Sequence, residues 1–120
     1  NMAKNKTKIN LKGSIKRFRD FIYIDDVVDA WYKLALDKKN FNKIYNLGSG
    51  KKVTLKTLFN QISSVLKKKI TIKVEKGTPG DFLGCYANIS EIKKNLNFNT
   101  KVSLKKGITK FNKWLDEENK

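Results

Sequence analysis

The sequence predicts a small mixed α/β domain, and three observations carry that expectation. Residues 54–68 and 103–118 repeat apolar side chains at helical spacing behind a capping hydroxyl. Short β-prone runs at 9–11, 21–24, 44–47 and 70–74 are separated by helical stretches or breakers. The middle of the chain therefore reads strand, helix, strand, helix, strand, an order that favours some parallel pairing.

In chain order, Lys8-Ile9-Asn10-Leu11 alternates as a short strand that ends at Gly13-Ser14. Phe21 to Ile24 is a second β-prone run. Asp25 or Asp26 can then cap a helix over 26–38, with Val27, Trp31, Leu34 and Ala35 on one face, and two carboxylates in the first turn suit the helix dipole. Asn40 to Lys43 breaks it. Ile44 to Leu47 reads as a buried strand entering Gly48-Ser49-Gly50. Thr54 caps the next helix, whose apolar stripe is Leu55, Leu58, Phe59, Ile62, Val65 and Leu66. Ile70 to Val74 alternates again, and a glycine-rich loop follows over 76–84. Ser90 caps a short helix over 90–96, and Ser103 caps the last, with Leu104, Ile108, Phe111, Trp114 and Leu115 on its apolar side. Trp31 and Trp114 both sit on apolar helix faces, where core packing is expected. No element precedes residue 8, as if the chain were cut from something longer.

At 120 residues and 39% hydrophobic content the chain suits one core. No apolar run approaches the roughly 18–20 residues that span a bilayer, and the lysine-rich start lacks a signal-peptide pattern. One cysteine, Cys85, leaves no intramolecular disulfide and reads as a small packing residue. The absence of histidine argues against a zinc site, so no metal is expected. These features suggest a cytoplasmic protein. The net charge of +16 raises the possibility of nucleic-acid binding, but the lysines run from Lys4 to Lys120 without clustering, and arginine is scarce. Nucleic acid is not the expected partner.

Of 27 cationic residues only Arg17 and Arg19 are arginines, set just before Asp20. A guanidinium is a planar fork suited to phosphate or carboxylate. Two readings stay open on spacing alone: a ligand site, or an ion pair with Asp20 or Asp25 that holds the segment.

Four segments carry a family resemblance. Arg19-Asp20-Phe21-Ile22-Tyr23-Ile24-Asp25-Asp26-Val27-Val28-Asp29-Ala30 is similar to the "RDF-I/V-YVDDVV-A" segment of the extended short-chain dehydrogenase/reductases, the NAD-dependent sugar-nucleotide epimerases and dehydratases. Ile44 to Gly50 with Val53-Thr54-Leu55 resembles the "YN-I/L-GSG…VS/T-L" turn of that family. Thr78-Pro79-Gly80-Asp81 with Tyr86-Ala87-Asn88-Ile89-Ser90 resembles "PGD…YADIS". Lys101 to Ile108 with Trp114 resembles the closing "K-SLEEG…W".

The resemblance implies that residues 1–120 are the C-terminal, sugar-nucleotide-binding domain of a UDP-glucose 4-epimerase-like enzyme, without its N-terminal Rossmann domain. That domain would be the partner within the same protein, holding NAD and the Tyr-x-x-x-Lys pair. No tyrosine here is followed four residues later by lysine, so no catalytic residue is assigned and the chain alone is expected to be inactive. Gly48-Ser49-Gly50 lacks the third glycine of a dinucleotide fingerprint, because position 53 is Val53; it reads as a permissive strand-to-helix turn, and no cofactor site is expected in this chain.

By resemblance, Arg19 contacts the diphosphate of a UDP-sugar or other NDP-sugar, whereas Arg17 reads as a surface cation. Asn46 offers donors and acceptors to phosphate or sugar oxygens, or equally satisfies backbone at a strand end. The 76–84 loop commonly carries a second clamping arginine two residues before its Gly-Asp pair. Here Thr78 stands there, a weaker hydroxyl contact, and Lys76 could compensate. Asp81 reads as a loop organiser. Residues 8–12 lie where the family runs a strand close to the nucleotide base. The competing readings are a stand-alone binding or regulatory module and a basic nucleic-acid-binding domain.

Overall fold

The computed structural model describes residues 7–77 and 79–118. Its elements are β1 (Lys8–Lys12), β2 (Phe18–Arg19), α1 (Ile24–Leu36), a 3-10 turn (Lys38–Asn40), β3 (Val53–Thr54), α2 (Leu55–Leu66), β4 (Thr71–Glu75), α3 (Ser90–Leu96) and α4 (Leu104–Glu118). The small mixed α/β class expected from the sequence is the class observed.

β1 and β4 pair in parallel, with Ile9 opposite Ile72 and Leu11 opposite Val74. The pairing matches the alternation of both segments, because a period of two puts these apolar residues on one face. β2 and β3 form a two-residue antiparallel ladder, Phe18 opposite Thr54 and Arg19 opposite Val53. The parallel ladder ends where the Gly13 amide donates to the Glu75 carbonyl at 3.0 Å. Gly13 and the loop after β4 thus emerge side by side.

Thr54 caps α2 as expected, its hydroxyl accepting the Thr57 amide at 3.1 Å. Ser103 does the same for α4, accepting the Lys106 amide at 3.3 Å. α2 packs against α4. The core proper is small: Ala30 of α1, Ile89, Ile92 of α3 and Phe98, with Ile22, Leu34, Tyr45, Leu47, Ala87 and Leu96 packed around them.

Several sequence expectations are corrected. Residues 21–24 and 44–47 are not strands: Ile24 already opens α1, and 44–47 finds no ladder partner among the described residues. β-propensity sets only local preference; a strand needs a neighbour for its amides and carbonyls. Ile44 is 96% exposed instead of buried. α1 spans 24–36 rather than 26–38, and neither Asp25 nor Asp26 caps it; the cap position is Tyr23, without a side-chain bond. Asp26 is buried, and its carboxylate accepts the amides of Lys101 at 3.0 Å and Val102 at 3.2 Å. At α3, Ser90 is the first helical residue, and the Asn88 side chain accepts its amide and hydroxyl. Trp31 and Trp114 are not core residues, being 66% and 49% exposed. α1 buries the stripe of Asp26 and Ala30, which leaves Trp31 on the other side. Cys85 is exposed rather than packed.

The radius of gyration is 17.0 Å, whereas a compact chain of this length would have about 14 Å. The molecule is a slab 19 Å thick in its shortest dimension. No helix among the described residues is long and apolar enough to cross a membrane.

Candidate sugar-nucleotide site

The segment 13–19 and the loop after β4 lie against each other, and their contacts define the candidate site. The Phe18 amide donates to the Leu83 carbonyl at 3.0 Å, and Phe18 forms a parallel bridge with Gly84. Only glycine fits at 84, because φ is +149° and a Cβ would lie 2.1 Å from the Phe18 carbonyl oxygen. Phe18 is buried. Its ring centroid lies 6.3 Å from that of Tyr86 and 4.2 Å from the Lys52 ammonium.

The two arginines take different partners. Arg17 is one half of a partly exposed ion pair rather than an unpartnered surface cation: Nη1 donates to Asp81 Oδ1 at 2.9 Å and Oδ2 at 2.7 Å. Its Nε donates to the Ser14 carbonyl at 3.3 Å, and Nη2 donates to the Lys12 carbonyl. All three guanidinium nitrogens are engaged. Arg19 donates from Nη1 to the Phe18 carbonyl at 2.7 Å, and its guanidinium carbon lies 4.8 Å from the Phe82 ring centroid. Among the described residues no carboxylate pairs with Arg19, so its Nε–Nη2 edge has no protein acceptor. That edge carries two parallel N–H groups, the arrangement that takes two oxygens of a phosphate.

Asp20 pairs with neither arginine. Its Oδ1 accepts the Ser49 amide at 2.9 Å and the Ser49 hydroxyl at 2.5 Å; Oδ2 accepts the Gly50 amide at 3.0 Å and the Ala87 amide at 3.1 Å. Burial works against the charged form, yet the bonds from Ser49, Ala87 and Gly50 hold the carboxyl below its ordinary value. The glycine turn is therefore wrapped around a carboxylate. A Cβ at Gly48 would lie 2.5 Å from Asp20 Oδ2, so the turn has no room for a larger residue. Because Asp20 takes the Ser49 and Gly50 amides, this turn does not offer them to a dinucleotide phosphate.

The remaining sequence candidates are more dispersed. Asn46 is exposed, and its side chain makes no hydrogen bond to another described residue. Lys76 is exposed at the end of β4. Thr78 lies outside the described residues. Sequence reasoning missed the Asp20 clasp, the Arg17–Asp81 pair, Phe82 and Lys52. Phe82 could have been noticed as an aromatic beside a recognised Gly-Asp pair; the other three depend on contacts between distant segments.

An apolar groove of about 530 Å3 lies elsewhere. It is lined by Phe21 to Ile24, Leu58 and the apolar side of α4, including Phe111 and Trp114. It holds no cation and so does not suit an anionic ligand.

The model of the NAD dependent epimerase/dehydratase family matches residues 1–48. An uncharacterized protein of Methanocaldococcus jannaschii is 38% identical over 100 residues, covering 82% of this chain and 30% of the relative. A dTDP-4-dehydro-6-deoxyglucose reductase of Escherichia coli is 34% identical over 110 residues, covering 92% and 34%. In structure, the UDP-glucose 4-epimerase of Thermotoga maritima, solved with UDP-glucose, superposes with a TM-score of 0.83 at 25% identity, covering 94% of this chain and 36% of that one. The chain thus spans about a third of the length of the relatives it matches. In sequence motifs and in fold, the chain is similar to members of the NAD-dependent epimerase/dehydratase family.

Proposed function

We propose that residues 1–120 form the sugar-nucleotide-holding domain of an epimerase or dehydratase of the UDP-glucose 4-epimerase type, with Arg19 bound to the ligand's diphosphate. The observation that carries the reading is the free guanidinium edge of Arg19, set beside a loop that the chain itself holds in place. The structural relative from Thermotoga maritima is described with UDP-glucose, which supports a UDP-sugar as the ligand class. Asn46, Lys76 and Thr78 are the further candidate contacts, and Lys52, next to the residue that pairs with Arg19, adds a nearby positive charge.

In this reading the rest of the protein is a Rossmann domain that holds NAD and supplies the Tyr-x-x-x-Lys pair. NAD would take up and return a hydride; this chain's own residues bind the nucleotide and orient the sugar. The flattened shape and the exposed apolar residues of α1 support a partner body of that kind. A cytoplasmic location goes with the reading. The isolated chain is expected to give no epimerisation of UDP-glucose with added NAD, and clear turnover would overturn the division of labour. Calorimetric titration with UDP tests the site. Arg19→Ala is expected to weaken binding about 10- to 100-fold, the loss of charge-assisted bonds. Identical titrations for the two proteins would overturn the role of Arg19.

A further inference from the structure

We propose that Phe82 is a positioning residue for Arg19, and that the Arg17–Asp81 ion pair fixes the loop that carries it. The proposal rests on the diphosphate role of Arg19 and adds how that side chain is held. Three consecutive residues, Arg17 and the two residues of β2, meet the descending limb of the loop. Arg17 Nη1 donates to both carboxylate oxygens of Asp81, the Phe18 amide donates to the Leu83 carbonyl, and Arg19 lies over the Phe82 ring. Phe82 is 55% exposed, so burial in the core does not explain its place. Its contact to the guanidinium does.

A long arginine side chain beside solvent samples many rotamers, and each must be given up when it grips a phosphate. Two contacts reduce that freedom before the ligand arrives. The bond from Nη1 to the Phe18 carbonyl fixes one edge of the guanidinium, and the ring beneath attracts the cation. The edge that remains is the one able to fork onto two phosphate oxygens.

The ion pair supplies the anchor. Arg17 spends its other nitrogens on the Lys12 and Ser14 carbonyls, so its position is set by the end of β1. Asp81 sits over two glycines. A Cβ at Gly13 would lie 2.5 Å from Asp81 Oδ2, and one at Gly77 would lie 3.4 Å from it. Gly13 has φ +83°, a backbone state that other residues rarely adopt. The carboxylate is therefore seated against Gly13 in a space that a Cβ there would close. Lysine at position 17 could not engage Asp81 and both carbonyls through one planar group.

The test is UDP binding to the complete protein, followed by calorimetry and by the Arg19 Nε–H NMR signal, assigned through its loss in Arg19→Ala. Phe82→Leu keeps the apolar volume and removes the ring; it is expected to weaken UDP binding roughly three- to tenfold. It should also reduce the shift of the Arg19 signal on adding UDP. Phe82→Tyr is expected to retain both. Asp81→Asn should behave like Phe82→Leu. If Arg19→Ala weakens UDP binding but Phe82→Leu and Asp81→Asn bind as the wild type does, the positioning role is overturned while the site stands. If Arg19→Ala itself changes nothing, the site reading fails.

Discussion

The Asp20 carboxylate accepts the Ala87 amide at 3.1 Å across 67 positions of sequence, while also holding the amides of Ser49 and Gly50. One side chain thus ties three segments together directly beside Arg19. Both oxygens act only as acceptors, each serving two donors. In Asp20→Asn, one of these oxygens becomes an NH2 group facing at least one backbone amide that can only donate, so at least one bond is lost and that buried donor is left opposed. A loss of about 2–3 kcal/mol in unfolding free energy is expected, since bonds to a charged acceptor are the stronger ones. Urea denaturation of the two proteins measures it; an unchanged midpoint would refute the clasp.

The same carboxylate sets a pH dependence. Its bonds hold the folded-state pKa of Asp20 below 3.8, so the unfolded chain takes up a proton at higher pH than the folded one. The contribution is fully present above about pH 4 and is lost as pH falls through the lowered folded value. Between those points wild type should lose stability faster than Asp20→Asn as the solution is acidified, and the two curves should converge. Stability measured from pH 6 down to pH 3 checks the sign. A difference that stays constant over that range would count against it.

Gly84→Ala should be among the most damaging small substitutions. The added Cβ would have to displace the Phe18 carbonyl oxygen, which is backbone and has no rotamer to yield. The bridge between Phe18 and Gly84 would open, and with it the alignment of Phe82 with Arg19. A cost of at least about 2 kcal/mol is expected, with weaker UDP binding. Gly80→Ala offers the contrast: its φ of +81° is strained, but its Cβ would meet nothing within 4 Å. The milder effect there should be near 1 kcal/mol. Thermal denaturation of both variants decides whether steric overlap or backbone strain dominates at position 84.

The elements that could be read from the sequence are those whose signal is local. Thr54 and Ser103 announce α2 and α4 because a hydroxyl cap and an apolar stripe lie within one window of sequence. β1 and β4 announce themselves by alternation. The two-residue ladder of β2 and β3 was not legible, since two residues carry no period. Residues 21–24 and 44–47 have the composition of strands, but pairing decides the state and the described chain offers no partner. At the site, Arg19 was singled out by composition and resemblance alone. The fate of Arg17 depended on Asp81, 64 positions away, and no spacing rule reaches that far.

α1 is apolar on two sides, and only one of them is covered. Ala30 is fully buried, whereas Ile24, Val28, Trp31, Tyr32 and Leu36 are each at least 55% exposed. A helix hydrophobic around most of its circumference is normally packed between two layers. On the proposed reading, in which these residues are one domain of a longer enzyme, the second layer is expected from the partner domain. Trp31→Lys separates the cases. In the isolated 120-residue chain the substitution touches an exposed position and should change stability by no more than about 0.5 kcal/mol. In the complete protein it should cost at least about 2 kcal/mol, because an unpaired ammonium would enter a dry interface. Equal, small effects in both would mean that this face of α1 stays in water, and the partner body would have to dock elsewhere.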